Sequence, residues 1–249
     1  MVVSNREGMD DIVQDSCDKA YFIDFDGTMV DLTVDPKAVD VPDALIRNLK
    51  TLEARDDCSF AIVTGREIDL LDKFLEGVKT TAVGCHGAEC RLGKDEAIES
   101  LTAPLPKAVV EAVHEVGDRH DALCEDKIYG ASLHLPPVRA EENIKTEIQN
   151  ALGEKKENYL VRKIGRTYEL MKKGISKGTG IRYLMRRSEF KGKTPVYIGD
   201  DATTDASLAI VTDLGGTLVS VRRPDAAGDK QTTIEPKDVR TLIAALAAR

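Results

Sequence analysis

The sequence has no apolar run approaching the roughly 20 residues that a membrane-spanning helix needs, and its first 19 residues are polar and acidic rather than hydrophobic. Neither a signal peptide nor a membrane partner is expected, and the chain is expected in the cytoplasm. Surplus basic charge is also missing: 35 Lys and Arg stand against 43 Asp and Glu, for a formal net charge of −8. Nucleic-acid backbones are held by clustered Lys and Arg, so nucleic acid is not an expected partner either. The five cysteines (Cys17, Cys58, Cys85, Cys90, Cys124) include no CxxC pair. That disfavours a zinc site or a disulfide framework, and they read as reduced, packing thiols. What remains is ordinary for a globular protein, with 42% apolar and 31% charged residues. At 249 residues the chain can bury a sizeable core, either as one domain with a large insertion or as two unequal domains.

Short apolar runs at Ala20 to Phe25, Ser59 to Val63, Thr81 to Val83, Pro195 to Ile198 and Thr217 to Val221 read as buried parallel strands. Between them, Pro42 to Arg55, Glu67 to Leu75 and Gly180 to Arg187 carry the apolar stripe of crossover helices. Alternation of strand and helix predicts a doubly wound α/β core. The rhythm breaks between Pro104 and Met171, where two helix candidates (Lys107 to Asp118 and Glu141 to Leu152) mix with extended segments at Ser132 to Leu135 and Tyr159 to Met171. The expected organisation is therefore a core of residues 18–103 and 173–249, with a smaller α+β domain inserted at 104–172. Residues 1–17 show no periodicity and are expected to be disordered.

The sharpest chemical signal is Asp24-Phe25-Asp26-Gly27-Thr28, directly after an apolar strand. In an open α/β sheet, residues just beyond a strand's carboxyl end face the ligand crevice. Two carboxylates there call for a cation, and an all-oxygen donor set suits Mg²⁺. A second acidic cluster, Gly199-Asp200-Asp201, follows the strand Val196 to Ile198 and could meet the first at one metal. Thr64-Gly65-Arg66 closes another strand with a hydroxyl and backbone N–H groups suited to phosphate oxygens. Lys177 precedes a helix whose N-terminus adds positive potential.

These four pieces resemble the four motifs of the haloacid dehalogenase superfamily, in the same order and across nearly the whole chain. The resemblance implies a Rossmann-like core with a mobile cap. It makes Asp24 a nucleophile that forms an aspartyl phosphate, and Asp26 the acid and then the base. Thr64 and Lys177 would bind the phosphoryl oxygens. Mg²⁺ would be held by the Asp24 carboxylate, the backbone carbonyl of Asp26 and Asp200, with Asp201 one layer further out. One departure stands in Gly199-Asp200-Asp201-Ala202-Thr203-Thr204-Asp205, where Thr204 replaces the aspartate usual in related sugar phosphatases.

Gly84-Cys85-His86-Gly87-Ala88-Glu89 is similar to the GxHGAE stretch of the trehalose-6-phosphate phosphatase family, and Glu125-Asp126-Lys127, Ser132-Leu133-His134 and Tyr168-Glu169-Leu170 extend the likeness. By this resemblance Arg66, His86 and Glu89 line the cleft, while Glu125, Lys127 and Glu169 bond sugar hydroxyls. His134, among apolar neighbours, reads as a core histidine. The implied reaction is hydrolysis of a small sugar phosphate, trehalose 6-phosphate, as the last step of trehalose biosynthesis. Sucrose-6-phosphate and mannosyl- or glucosyl-3-phosphoglycerate phosphatases are the alternatives within the class. A different alternative is a weakly active regulatory partner of a trehalose-phosphate synthase, an association the family also implies for an active enzyme.

Overall fold

The apolar runs become strands because each offers side chains to two buried faces at once. The protein is described by a computed structural model over residues 1–14, 18–33, 37–55, 57–137, 143–222 and 233–249. Its first part runs β1 (Val2–Val3), α1 (Arg6–Gln14), β2 (Lys19–Ile23), α2 (Asp43–Glu53), β3 (Ser59–Val63), α3 (Ile68–Phe74), β4 (Ala82–Gly84), β5 (Glu89–Arg91) and β6 (Glu99–Ser100). Then come α4 (Lys107–Arg119), β7 (Leu123–Lys127), β8 (Gly130–His134), α5 (Ile144–Leu152), β9 (Tyr159–Ile164) and β10 (Thr167–Lys172). The last part is α6 (Lys177–Leu184), β11 (Thr194–Gly199), α7 (Ala209–Asp213), β12 (Thr217–Ser220) and α8 (Pro236–Ala247).

One compact unit comprises Met1–Leu101 and Ser176–Arg249. Its sheet has eight strands in the order β1-β12-β11-β2-β3-β4-β5-β6, parallel from β1 to β4 and antiparallel at the β5 and β6 edge. Central strand β2 sends Tyr21 and Ile23 to one face and Ala20 and Phe22 to the other, all fully buried. Leu45, Leu49 and Leu52 of α2 and Val239, Leu242 and Ile243 of α8 cover the first face. Ile181 and Leu184 of α6, with Ile210 and Val211 of α7, cover the second. Each large aliphatic side chain so buried stabilises by ~1.5–3 kcal/mol, which makes this two-sided core the frame on which loops at the strand ends can be held rigid.

The other compact unit is Thr102–Ile175, where the sequence reading placed an insertion at 104–172. Its antiparallel sheet has the order β7-β8-β10-β9. Ala131, Leu133, Tyr168 and Leu170 pack with Val109, Val113 and Val116 of α4 and Ile144 and Ile148 of α5. Strand alternation then puts Glu125, Lys127, Ser132, His134, Thr167 and Glu169 on the opposite face.

Two expectations are corrected. Residues 1–14 are ordered rather than disordered: Val2 and Val3 pair with Leu218 and Val219, and α1 buries Met9 and Ile12 in the first-face core. Three apolar contacts among polar neighbours are too sparse to read as a period. His134 is not a core histidine, because its place in β8 turns it to the polar face, where it bonds Glu125 and Thr167. Cys17 and the expected helix start at Glu141 lie outside the described residues. Among the described residues, no helix is long and apolar enough to cross a membrane.

Candidate active site

Asp24 extends β2 by one bond, its N–H donating to the carbonyl of Ile198 in β11 (2.9 Å). The chain then turns sharply, and the Phe25 carbonyl accepts from the N–H groups of Thr28, Met29 and Val30. Gly27 sits at φ +71, and a Cβ there would lie 2.9 Å from Oδ2 of Asp200. The second acidic loop thus approaches so closely that glycine is required on both counts. Thr28, fully buried, accepts the Asp200 N–H on its Oγ1 (3.1 Å), tying together residues 172 positions apart.

Asp24, Asp200 and Asp201 each bring a carboxylate oxygen within 4.8 Å of the others. Lys177, first residue of α6, is buried with them and donates to Oδ1 of Asp24 (2.9 Å), Oδ2 of Asp201 (2.9 Å) and the Tyr197 hydroxyl (3.2 Å). An ammonium has three protons, so these bonds use all of them. Tyr197, wholly inside the core, donates in turn to Oδ1 of Asp201 (2.6 Å). Burial pushes the Asp24 carboxyl above its ordinary range, Lys177 works against that rise, and the charges of Asp201 and Asp200 add to it. Burial would raise Asp201 as well, but the Lys177 charge and the bonds from Tyr197 and Lys177 hold it low. For Lys177, burial opposes the charge, yet Asp24 and Asp201 outweigh it and keep the ammonium protonated. Three clustered carboxylates against one ammonium leave an excess of negative charge on an all-oxygen donor set, which fits a hard divalent cation. Both oxygens of Asp201 already accept from Lys177 and Tyr197, which suits an outer carboxylate better than a direct ligand.

Strand β3 delivers Thr64, whose N–H donates to Val83 (2.9 Å) and whose Oγ1 accepts the Arg66 N–H (3.1 Å). Arg66 meets Asp26 in a two-point pair, 2.7 Å from Nε to Oδ2 and 2.6 Å from the second nitrogen to Oδ1, with its guanidinium 4.7 Å from the Phe74 ring centre. Cys85 and His86 both adopt left-handed backbone, φ 49 and 55. Non-glycine residues held this way mark a segment over-determined by its surroundings. The His86 N–H donates to Thr64 and that of Cys85 to Arg66, and the His86 ring lies so near Gly65 that a Cβ there would be 2.5 Å away. Glu89 turns inward: it is 5% exposed, burial raises its carboxyl, and Oε1 accepts the Ile68 N–H (2.6 Å) at the start of α3.

Gly87 joins this turn to α6. At φ +104, a Cβ on it would fall 2.1 Å from the carbonyl oxygen of Ser176, the N-cap residue beside Lys177. Gly87→Ala is expected to destabilise the protein by about 2–4 kcal/mol, combining left-handed strain with displacement of α6. The measurement is a fall in the urea midpoint at unchanged slope, and an unmoved midpoint would show that the contact is dispensable.

In the smaller unit, Lys127 and Glu169 form an ion pair (3.1 Å), while His134 joins Glu125 (3.3 Å) to Thr167 (2.9 Å). Sequence reasoning missed Tyr197, which reads as one more core aromatic of β11. The only signal was a hydroxyl-bearing ring four residues before Asp201 on a strand that ends in acidic residues.

Carboxylates at the carboxyl ends of adjacent parallel strands, a buried lysine at a helix start and an inserted α+β unit are the arrangement that the resemblance to the haloacid dehalogenase superfamily implies. The solved C-terminal domain of Candida albicans trehalose-6-phosphate phosphatase has this fold, with TM-score 0.75 at 18% identity over 99% of this chain and 97% of that one. The trehalose-phosphatase family profile matches residues 22–235, and the chain belongs to that family. Trehalose-6-phosphate phosphatase of Escherichia coli K12 is 28% identical over 204 residues, covering 81% of this chain and 77% of the relative. A probable trehalose-phosphate phosphatase of Sinorhizobium fredii is 30% identical over 233 residues, covering 92% and 87%.

Proposed function

We propose that the chain hydrolyses trehalose 6-phosphate to trehalose and phosphate, with Asp24 as nucleophile and Mg²⁺ as cofactor. The observation that carries this reading is the buried Asp24 carboxylate beyond the central strand, 2.9 Å from the Lys177 ammonium. Family membership supplies the substrate class.

Asp24 attacks phosphorus in line; its bond to phosphorus forms as the bond from phosphorus to the sugar oxygen breaks. An alkoxide is a poor leaving group, so Asp26 donates a proton to it, then takes a proton from the water that cleaves the aspartyl phosphate. Asp26 rests on Arg66 through both oxygens, and the substrate's phosphate is an acceptor that can draw the guanidinium away. Thr64 and Lys177 hold the phosphoryl oxygens. For this Lys177 must exchange one of its three bonds, and the longest, to the neutral Tyr197 hydroxyl, is the easiest to give up. A carboxylate oxygen of Asp24, the backbone carbonyl of Asp26 and Asp200 would hold Mg²⁺, which when bound neutralises charge on the transferring oxygens.

His86, beside Thr64 and Gly65, contributes to binding the phosphate, and Glu89 acts by holding the turn that carries it. Glu125, Lys127 and Glu169 bond sugar hydroxyls, a task suited to charged partners on a substrate with little apolar surface. Thr204, exposed, returns its hydroxyl to the carbonyl of Asp201 (3.3 Å), so the loop is closed at that position without the usual carboxylate.

The test is phosphate release from a panel of sugar phosphates with and without EDTA. Trehalose 6-phosphate should exceed sucrose 6-phosphate and the two glycosyl-3-phosphoglycerates by roughly tenfold or more in kcat/KM. EDTA should abolish turnover and Mg²⁺ restore it. Preference for another ester would sink the substrate assignment, and no turnover on any would favour a regulatory partner of a synthase.

A further inference from the structure

The polar face of the smaller sheet holds a hydroxyl with no task in the reading above. Ser132 is 1% exposed, and its Oγ has no hydrogen-bond partner among the described residues. Buried hydroxyls are rarely left so, because the lost water bond goes uncompensated. Ala131 and Leu133, on either side, belong to the helix-covered core, so Ser132 points to the other face of β8.

Register fixes its surroundings. Ser132 stands directly between Glu125 of β7 and Glu169 of β10. Cross-strand neighbours place their Cβ atoms about 4.5–5.5 Å apart, so both carboxylates flank the hydroxyl closely. Lys127 is drawn to Glu169 and His134 to Glu125, at 3.1 and 3.3 Å. The result is a row of two acceptors with one small group between them that both donates and accepts. Ionised carboxylates only accept, so hydroxyls bonded to them must donate. A hydroxyl between two such donors keeps its oxygen available, and the Ser132 hydrogen is the matching partner. An alanine would pack the same space without the uncompensated hydroxyl, so packing alone does not account for serine here.

We propose that Ser132 is a specificity-determining contact, its Oγ bonding one hydroxyl of a polyhydroxylated sugar whose adjacent hydroxyls are taken by Glu125 and Glu169. This rests on the assignment of that face to sugar recognition. Ser132 is 1% exposed, so the flanking Glu125 and Glu169 must rearrange as they take sugar hydroxyls for the sugar to reach it.

Ser132→Ala in the full chain tests this, with wild type alongside, using trehalose 6-phosphate and p-nitrophenyl phosphate, which carries no sugar hydroxyl, and with Tm measured for both proteins. The expected result is a KM for trehalose 6-phosphate raised about five- to tenfold, kcat within about twofold, and kinetics on p-nitrophenyl phosphate unchanged. Tm should hold or rise, since an uncompensated hydroxyl has been removed. An unchanged KM with a higher Tm would show an idle hydroxyl and overturn the proposal. A lower Tm with both substrates impaired would show a structural one, with the same consequence. Wild type inactive on trehalose 6-phosphate would overturn the assignment of function and this contact together, whereas failure of the contact alone leaves wild-type turnover intact.

Discussion

Asp24→Asn is expected to lower turnover of trehalose 6-phosphate by about three orders of magnitude or more while the protein stays folded. The amide has the shape of the carboxylate and still offers an oxygen to the Phe25 N–H, now held at 2.8 Å, and to Lys177. What disappears is the nucleophile, while among neighbouring carboxylates Asp26 is held on Arg66, and Asp201 on Lys177 and Tyr197. Stability carries a further mark. Burial raises the Asp24 carboxyl in the folded state, so the stability it contributes is complete at low pH and is lost as pH rises above the ordinary carboxylate range. Asn cannot ionise. In EDTA, the variant's Tm should therefore fall less than wild type's as pH is raised from the ordinary carboxylate range towards neutrality. Full activity in Asp24→Asn would rule out a covalent mechanism on this residue.

Lys177→Met is expected to remove both activity and stability. Methionine fills much of the same volume but leaves Asp24 and Asp201 without the ammonium that lies 2.9 Å from each. Removing one partner of a buried charge pair costs about 3–5 kcal/mol, because the remaining charge stays buried without compensation. Loss of a fixed cation beside the transferring phosphoryl group should lower kcat by about 100- to 1000-fold. Chemical denaturation and steady-state rates measure the two effects. Added Mg²⁺ should recover part of the stability, since it neutralises the same carboxylates, but not the rate. A variant as stable as wild type without metal would mean that Lys177 contributes nothing to holding the acidic cluster.

The core of the site was legible because its parts are local. Asp24, Thr64 and Asp200 each follow an apolar strand within one residue or two, and strand ends in a parallel sheet are where ligands sit. Pairings across the fold were not legible. Nothing near Arg66 in the sequence points to Asp26, whose two-point bond depends on β2 and β3 lying side by side. Glu89 was singled out by the resemblance of its stretch to the family's, and nothing in that likeness shows that its carboxylate accepts the Ile68 N–H in the first turn of α3. α1 and α8 were missed for opposite reasons: α1 has too few apolar residues to show a period, and Pro236–Ala247 was passed over although Val239, Leu242, Ile243 and Leu246 carry a clear one. On the smaller sheet, the family resemblance singled out Glu125, Lys127 and Glu169, but only the strand register reveals Ser132 between Glu125 and Glu169.

The bond from the Asp200 N–H to Thr28 has a bearing on how the molecule is made. Strand β2 pairs with β3, a neighbour in sequence, and with β11, which arrives only after the whole of Thr102–Ile175. Closing so long a loop is entropically unfavourable until the contacts it permits are in place. The smaller sheet asks for shorter closures, since β7 pairs with β8 and β9 with β10 as hairpins, and β8 meets β10 across only α5 and β9. During folding the acidic centre is therefore absent until the two distant halves of the larger unit have met, and a chain interrupted before the end of β11 carries Asp24 without Asp200 and Asp201.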